Sequence, residues 1–168
     1  IYKMKYLLII IIILSVVSKI IGQIILTTAG NGIGIYSGDG GPATAASISY
    51  PLGLCTDIGG NLYIADSNNH RIRNINTFGS ISTIAGTGIT IFGGDGGPAT
   101  AATLNNPWAV FVDTYGNVFI SDNYNNLIRK VNTFSIISTI AGTGSGSFSG
   151  DGGAATASKL NYPNGVFV

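Results

Sequence analysis

Short apolar and β-branched runs alternate with turn-forming residues along most of the chain. In one representative stretch the runs are Trp108–Asp113, Val118–Ser121, Leu127–Asn132 and Ile136–Ala141, and the segments between them are rich in Gly, Asn, Ser and Thr. This spacing predicts four short β-strands joined by tight turns, which pair as an antiparallel sheet. Because apolar side chains fall at consecutive positions, they point to both faces of the sheet. Both faces must therefore be covered by neighbouring structure.

The whole pattern recurs with a period of 56 residues. Shifting the chain by one period superposes residues 30–85 on residues 86–141 without insertion, with roughly half of the positions identical. Tandem units of this kind are typical of propellers and solenoids. Four antiparallel strands per unit favour radially stacked propeller blades, because solenoid units are shorter and their strands are parallel. We therefore predict an all-β partial propeller with full blades near residues 51–85 and 107–141.

A glycine-rich motif marks the connections between units. It reads GDGGPATAA at residues 38–46 and 94–102, and GDGGAATAS at residues 150–158. A phosphate-binding loop needs a following Gly-Lys-Ser/Thr, which is absent. A calcium loop needs several oxygen-bearing side chains, and each motif has one aspartate. The motif therefore indicates a structural turn, with a weak cation site or a partner contact as the alternatives.

The composition of this connection predicts how the turn folds. We expect Asp95 to accept the backbone N–H groups of Gly96 and Gly97 while neighbouring glycines adopt positive φ. Pro98 suits the start of a short helix, and residues 99–104 are helical in composition. The connection is therefore interpreted as a brace between neighbouring blades.

Few residues are available for catalysis. All seven aspartates fall at repeat-equivalent positions, and the chain has no glutamate and one histidine, His70. Since an active site is normally one asymmetric cluster, we predict no catalytic residue, no metal ligand and no cofactor. His70 lies in a polar turn and is interpreted as a solvated turn residue. Asp66 and Asp122 are expected either to pair with Arg73 and Arg129 or to cap the intervening turn, an ion pair contributing about 1 kcal/mol or less if exposed.

The positions that differ between copies are the candidates for binding. Trp108 stands where the first copy has leucine, and Tyr124 stands where it has asparagine. His70 and Arg71 stand where the second copy has Asn-Leu. Large aromatic and arginine side chains are favoured at binding surfaces. If a binding face exists, we predict that it carries these four residues; the alternative is that Trp108 packs between blades and the rest is surface variation.

The polar spacing within each unit resembles that of the NHL repeat. The residues that carry the resemblance are Asp113, Gly116, Asn117, Asp122, Asn125, Ile128 and Arg129, and, one period earlier, Asp57, Gly60, Asn61, Asp66, Asn69, Ile72 and Arg73. The resemblance implies a β-propeller whose faces bind proteins, RNA or small ligands. These units are longer than usual NHL units, and the long glycine-rich linker is similar to that of extracellular, teneurin-like NHL arrays.

The N-terminal segment has the pattern of a secretory leader. Met4 and Lys5 precede an apolar run over residues 6–17, which Lys19 ends short of the length that spans a membrane. We predict a signal peptide over residues 1–22 with Met4 as its start. An uncleaved anchor and an apolar strand are the alternatives.

Charge limits the partners of the remaining segment, residues 23–168. It carries five basic residues against seven aspartates, a net charge of −2, so no basic patch for nucleic acid is expected. Contact with a membrane is expected only if the leader is uncleaved or an anchor lies downstream.

The two ends of residues 23–168 align with parts of a unit. Residues 24–29 align with a last strand, and residues 163–168 align with a first strand. We therefore expect a fragment of a longer, secreted or ectodomain NHL-type propeller. Its expected role is a scaffold that binds a protein or small ligand of unknown identity on a propeller face. The alternative is a propeller enzyme, a lactonase-like hydrolase or an amidating lyase, with its site outside this fragment.

Overall fold

The computed structural model describes residues 25–168, so the predicted signal peptide lies outside the described residues. The described chain is all-β, with eight strands in two four-stranded antiparallel sheets. The predicted four-stranded blades are confirmed. No helix within residues 25–168 has the length and apolar character to cross a bilayer. The strands are β1 Pro51–Thr56, β2 Leu62–Asp66, β3 Arg71–Ile75, β4 Ile81–Ala85, β5 Pro107–Val112, β6 Val118–Asp122, β7 Leu127–Val131 and β8 Ile137–Ala141.

Each sheet is a meander in which consecutive strands pair, in the orders β1-β2-β3-β4 and β5-β6-β7-β8. The tight turns follow from polar side chains that bond to their own backbone. Asp57 Oδ1 accepts the N–H of Asn61 at 2.9 Å, and Asp113 Oδ1 accepts that of Asn117 at 2.8 Å. A side chain that fixes a turn in this way sets the register of the strands on both sides.

The two sheets stack face to face through their inner strands β1 and β5. A Cβ added to Gly53 would lie 2.6 Å from the Cα of Ala109, so only glycine permits this approach of the two backbones. One buried apolar cluster is shared between the blades, which explains why both sheet faces are apolar. Its members come from the first sheet, the connection and the second sheet: Ala65, Ile72, Ala85, Ala99, Ala102, Leu104, Val110, Val112, Val118, Ile120, Val131 and Ile137.

The connection over residues 86–106 leaves β4 and lies along the outer strand of the following blade. Gly96 N–H donates to Ile137 O at 2.8 Å, and Ile137 N–H donates to Gly97 O at 3.1 Å. A short helix follows Pro98 as predicted, but it is a 3-10 turn over Ala99–Ala101 and does not extend to residue 104. The fully buried Ala99 packs in the cluster that both blades share. The connection therefore braces the two blades.

Residues beyond the second sheet lie against it. The ring of Phe167 lies 4.6 Å from that of Phe111, centroid to centroid, and Asn123 Nδ2 donates to Pro163 O at 3.1 Å. On the other side, Leu54 is 62% exposed although its repeat equivalent Val110 is 4% exposed at the blade junction. That residues 24–29 and 163–168 belong to further blades stays a prediction.

Candidate binding face

One edge of the stacked sheets carries the four binding residues predicted from the sequence. In an antiparallel meander, the start of the first strand, the turn between the second and third strands and the end of the fourth lie at the same edge. We call this edge the connection face, because the glycine-rich connections also leave and enter there. Trp108 is the second residue of β5, His70 and Arg71 lie where β3 begins, and Tyr124 lies in the β6–β7 turn. The structure thus places all four at one face.

His70 joins the first blade to the strand that enters the second. Its backbone is left-handed, with φ of 53°, and its Nδ1 accepts the N–H of Asn106 at 3.0 Å. Asn126 does the same one period later: its φ is 54°, and its Oδ1 accepts the N–H of Tyr162 at 2.9 Å. Burial, assisted by the charge of Arg71, lowers the pKa of His70, which favours the neutral ring that an accepting Nδ1 requires. His70 is therefore half-buried and bonded, not solvated as expected.

Arg71 uses its guanidinium inside the chain. The guanidinium carbon lies 3.6 Å from the ring centroid of Tyr36. Its Nη1 donates to Asn69 O at 2.8 Å, and its Nη2 donates to Thr87 O at 2.5 Å. A role for Arg71 in binding a partner stays a prediction, and the observed contacts hold the β2–β3 turn against the following connection.

The aspartate of the glycine-rich motif pairs with a buried arginine. Asp95 Oδ1 accepts from Arg129 Nη2 at 2.5 Å, and its Oδ2 accepts the N–H of Thr139 at 3.1 Å. The expectation that Asp95 binds the N–H groups of Gly96 and Gly97 is wrong. Those N–H groups donate to backbone carbonyls, one of them in β8, which leaves the carboxylate to neutralise the guanidinium.

The first blade contains the same ion cluster. Arg73 lies between Asp66 at 3.2 Å and Asp39 at 2.6 Å, and the side chains of Arg73 and Asp66 are completely buried. The pairing of Asp66 with Arg73 is one of the two roles expected for this aspartate, and the pair that forms is buried. Asp66 also accepts the N–H of Ser49 at 2.8 Å and bonds the amide of Asn69, so the cluster fixes three separate segments.

The carboxyl pKa values follow from these contacts. Burial opposes ionisation of Asp39, but hydrogen bonds from Tyr36 and Thr83 and the pairing with Arg73 lower its pKa. For Asp122 burial prevails over its hydrogen bonds and raises the pKa. Within residues 25–168, no three His, Cys, Asp or Glu side chains are grouped to hold a metal ion.

Tyr124 forms an aromatic pair with Tyr162 on the connection face. The rings meet edge to face with centroids 5.8 Å apart, and the two side chains are 54% and 56% exposed. With Asn105 they line a cavity of about 370 Å³. Tyr162 was not predicted from the sequence, although a signal was present: the preceding unit has Asn106 at this position, and the first unit has Tyr50.

Trp108 lies at an irregularity of β5. The register of β5 against β6 shifts between Pro107 and Ala109, and the Trp108 side chain is half-buried. Its carbonyl oxygen would lie 2.7 Å from a Cβ on Gly53, so its backbone contacts the first blade. Whether its side chain packs between blades or contacts a partner stays a prediction.

Parts of this chain are similar to known proteins. The family described as NHL repeat matches residues 49–73. Human Teneurin-4 is 34% identical over 104 residues, 54% of this chain and 4% of Teneurin-4. Protein SUPPRESSOR OF QUENCHING 1, chloroplastic, of Arabidopsis thaliana is 29% identical over 97 residues, 57% of this chain and 9% of that protein. This chain therefore spans a small part of the curated relatives it matches.

A solved structure reproduces the fold. A structural genomics protein of unknown function from Bacteroides thetaiotaomicron superposes with a TM-score of 0.60 at 24% identity. The match covers 73% of this chain and 31% of that one. At this identity the similarity establishes the arrangement of the sheets alone.

Proposed function

We propose that this chain, an NHL-repeat protein with stacked propeller blades, is a binding scaffold whose connection face holds a partner protein. The Tyr124–Tyr162 pair carries the proposal. Two half-exposed phenol rings beside an open cavity offer apolar area and hydrogen-bonding hydroxyls at low entropic cost, the properties of interface anchors. The preceding blade junction has Asn68 and Asn106 at these positions, so blade architecture does not require the tyrosines.

The aspartates support a binding role over a catalytic one. Asp39 and Asp66, with Asp95 and Asp122 one period later, hold buried arginines, and Asp57 and Asp113 hold turns. Each of these carboxylates is occupied by a structural contact that recurs in the next blade. In this proposal the two blades bind and do not catalyse.

We propose further that the blades act outside the cell, as a secreted protein or an ectodomain. The support is the leader pattern of residues 1–22. The partner is then a secreted or cell-surface protein.

A binding screen with matched variants tests the proposal. The full chain, multimerised through a tag, is applied to an array of displayed secreted and cell-surface proteins. Replacing both tyrosines by the residue of the preceding junction, Tyr124→Asn with Tyr162→Asn, is expected to weaken partner binding by at least about tenfold, or ~1.4 kcal/mol. The unfolding midpoint should stay unchanged, because both side chains are half-exposed.

The control uses exposed aromatic residues at the opposite edge. Phe78 and Phe134 lie in the β3–β4 and β7–β8 turns and are 94% and 84% exposed. Phe78→Asn with Phe134→Asn is expected to leave binding intact. Binding that survives the tyrosine changes and fails with the phenylalanine changes contradicts the proposal, as does a screen that yields no partner.

A further inference from the structure

The two blades differ beside the ion cluster, and the difference leaves a cavity. In the first blade the Arg71 guanidinium lies on Tyr36 and donates to the carbonyls of Asn69 and Thr87. The equivalent of Arg71 in the second blade is Leu127, which is 3% exposed. A leucine side chain is shorter than an arginine side chain and leaves the position of the guanidinium unfilled. A cavity of about 340 Å³ is found there, and the lining residues that matter here are Phe92, Asp95, Leu127, Thr139, Thr143 and Gly144.

The glycines show that the missing volume is that of a guanidinium. A Cβ added to Gly88 would overlap the Arg71 guanidinium, whose carbon would lie 2.7 Å away. A Cβ added to the equivalent Gly144 meets only the carbonyl oxygen of Asn125, at 3.7 Å. Asn125 O and Thr143 O are the equivalents of the two carbonyls that Arg71 bonds. Both acceptors are thus present in the second blade without an arginine between them.

The cavity also lacks a hydroxyl that the first blade supplies. In the first blade the Thr83 hydroxyl lies 3.3 Å from the Tyr36 hydroxyl. Phe92 replaces that tyrosine, so the buried Thr139 hydroxyl faces the Asp95 carboxylate without a phenol partner. A buried polar atom that loses a partner in this way indicates space for another donor.

Charge favours a cation in the same place. In the first blade the two carboxylates of the cluster are balanced by the guanidinium groups of Arg73 and the adjacent Arg71, a formal charge of zero. The second has Asp95 and Asp122 with Arg129 alone, a formal charge of −1, because leucine stands at position 127. The ring of Phe92 adds a face that attracts cations.

We propose that this cavity binds the arginine side chain of a partner polypeptide. Arg71 is the template: a planar cation stacked on an aromatic ring, with its donors on two carbonyls. Thr143 and Gly144 at its rim are exposed, so a side chain can enter from solvent. An arginine within a peptide suits the site better than free arginine, because the negative cluster repels a free α-carboxylate.

Calorimetric titration of the full chain with blocked Gly-Arg-Gly tests this proposal. We expect one site per chain, weaker binding of blocked Gly-Lys-Gly and weaker binding of free L-arginine. Leu127→Arg fills the cavity from within and should reduce binding by at least about tenfold. Leu127→Met keeps the cavity and should bind normally. Arg71→Leu opens the equivalent place in the first blade and should raise the stoichiometry to two.

Three results of the titration would overturn the proposal. Absence of binding, equal binding of the lysine peptide, or binding that Leu127→Arg leaves unchanged overturns the proposal. Tighter binding of free L-arginine than of the blocked peptide overturns the choice of a polypeptide partner. If Arg71→Leu does not fold, Leu127→Arg against Leu127→Met decides. The tyrosine pair is a different site, so failure here leaves the proposed function standing.

Discussion

Removing Asp66 should destabilise the chain far more than removing Asp39, although both pair with Arg73. Asp66→Ala leaves a completely buried guanidinium without its buried partner and removes the acceptor of the Ser49 N–H. Breaking a buried pair from one side costs about 3–5 kcal/mol. Asp39 is 34% exposed and Arg73 retains Asp66, so Asp39→Ala should cost about 1–2 kcal/mol.

The larger loss is easy to measure. A domain of this size is stabilised by about 5–15 kcal/mol, and each kcal/mol shifts Tm by about 2–4 °C. Asp66→Ala should therefore lower Tm by about 6–20 °C. Urea unfolding followed through Trp108, the one tryptophan of the chain, gives the free energy directly.

A double variant separates the charge from the packing. Asp66→Ala with Arg73→Met removes both members of the pair, and the loss should be smaller than the sum of the single losses by about 0.5–3 kcal/mol. The Nε of Arg73 is buried and lacks a hydrogen bond, so the guanidinium is incompletely compensated even in the folded chain. A loss below about 1 kcal/mol for Asp66→Ala would refute the reasoning, because it would mean that Arg73 is solvated.

Three further perturbations test the local contacts. Gly86→Ala should destabilise the chain by about 1–3 kcal/mol more than Gly30→Ala in urea unfolding. The two glycines have nearly equal φ values, 95° and 94°, but of the two only Gly86 would place an added Cβ against a backbone oxygen. Equal losses would contradict the steric argument. Burial and the nearby Asp57 carboxylate raise the pKa of Tyr63 to about 12 from 10.0, so the free energy of unfolding falls as pH rises through this interval. In Tyr63→Phe the free energy of unfolding should depend less on pH between these values. An unchanged pH dependence would refute the assignment to Tyr63. His70→Asn keeps a hydrogen-bond acceptor for the Asn106 N–H and should hardly change the free energy of unfolding, whereas His70→Leu should lower it by about 1–3 kcal/mol in thermal unfolding. Similar losses for both variants would refute the acceptor role.

The sequence was sufficient for the strands because their signal is local. Alternating apolar runs, turn residues and the 56-residue period determine where β5 to β8 begin and end, and the second copy repeats the first. The turn residues Asp57 and Asp113 act within four residues of their own position, so their surroundings are readable from the chain.

Contacts between residues far apart in the sequence were harder to predict. Asp95 was expected to bind adjacent glycines, but its partner Arg129 is 34 residues away. The same separation of Asp39 from Arg73 was a usable signal, because a repeated spacing between opposite charges suggests a repeated pair. The exchange of His70 for Asn126 was also visible in the sequence, yet their shared role depends on a left-handed backbone that only the structure shows.

The stacking of the two sheets is best tested by a nuclear Overhauser measurement between Gly53 and Ala109 in the labelled full chain. We expect a strong cross-peak between the α-protons of these residues, because the inner strands β1 and β5 approach backbone to backbone. We expect no ladder of contacts between residues 81–85 and 107–112, which belong to different sheets. A missing Gly53–Ala109 peak together with such a ladder would show one continuous sheet and contradict the propeller arrangement.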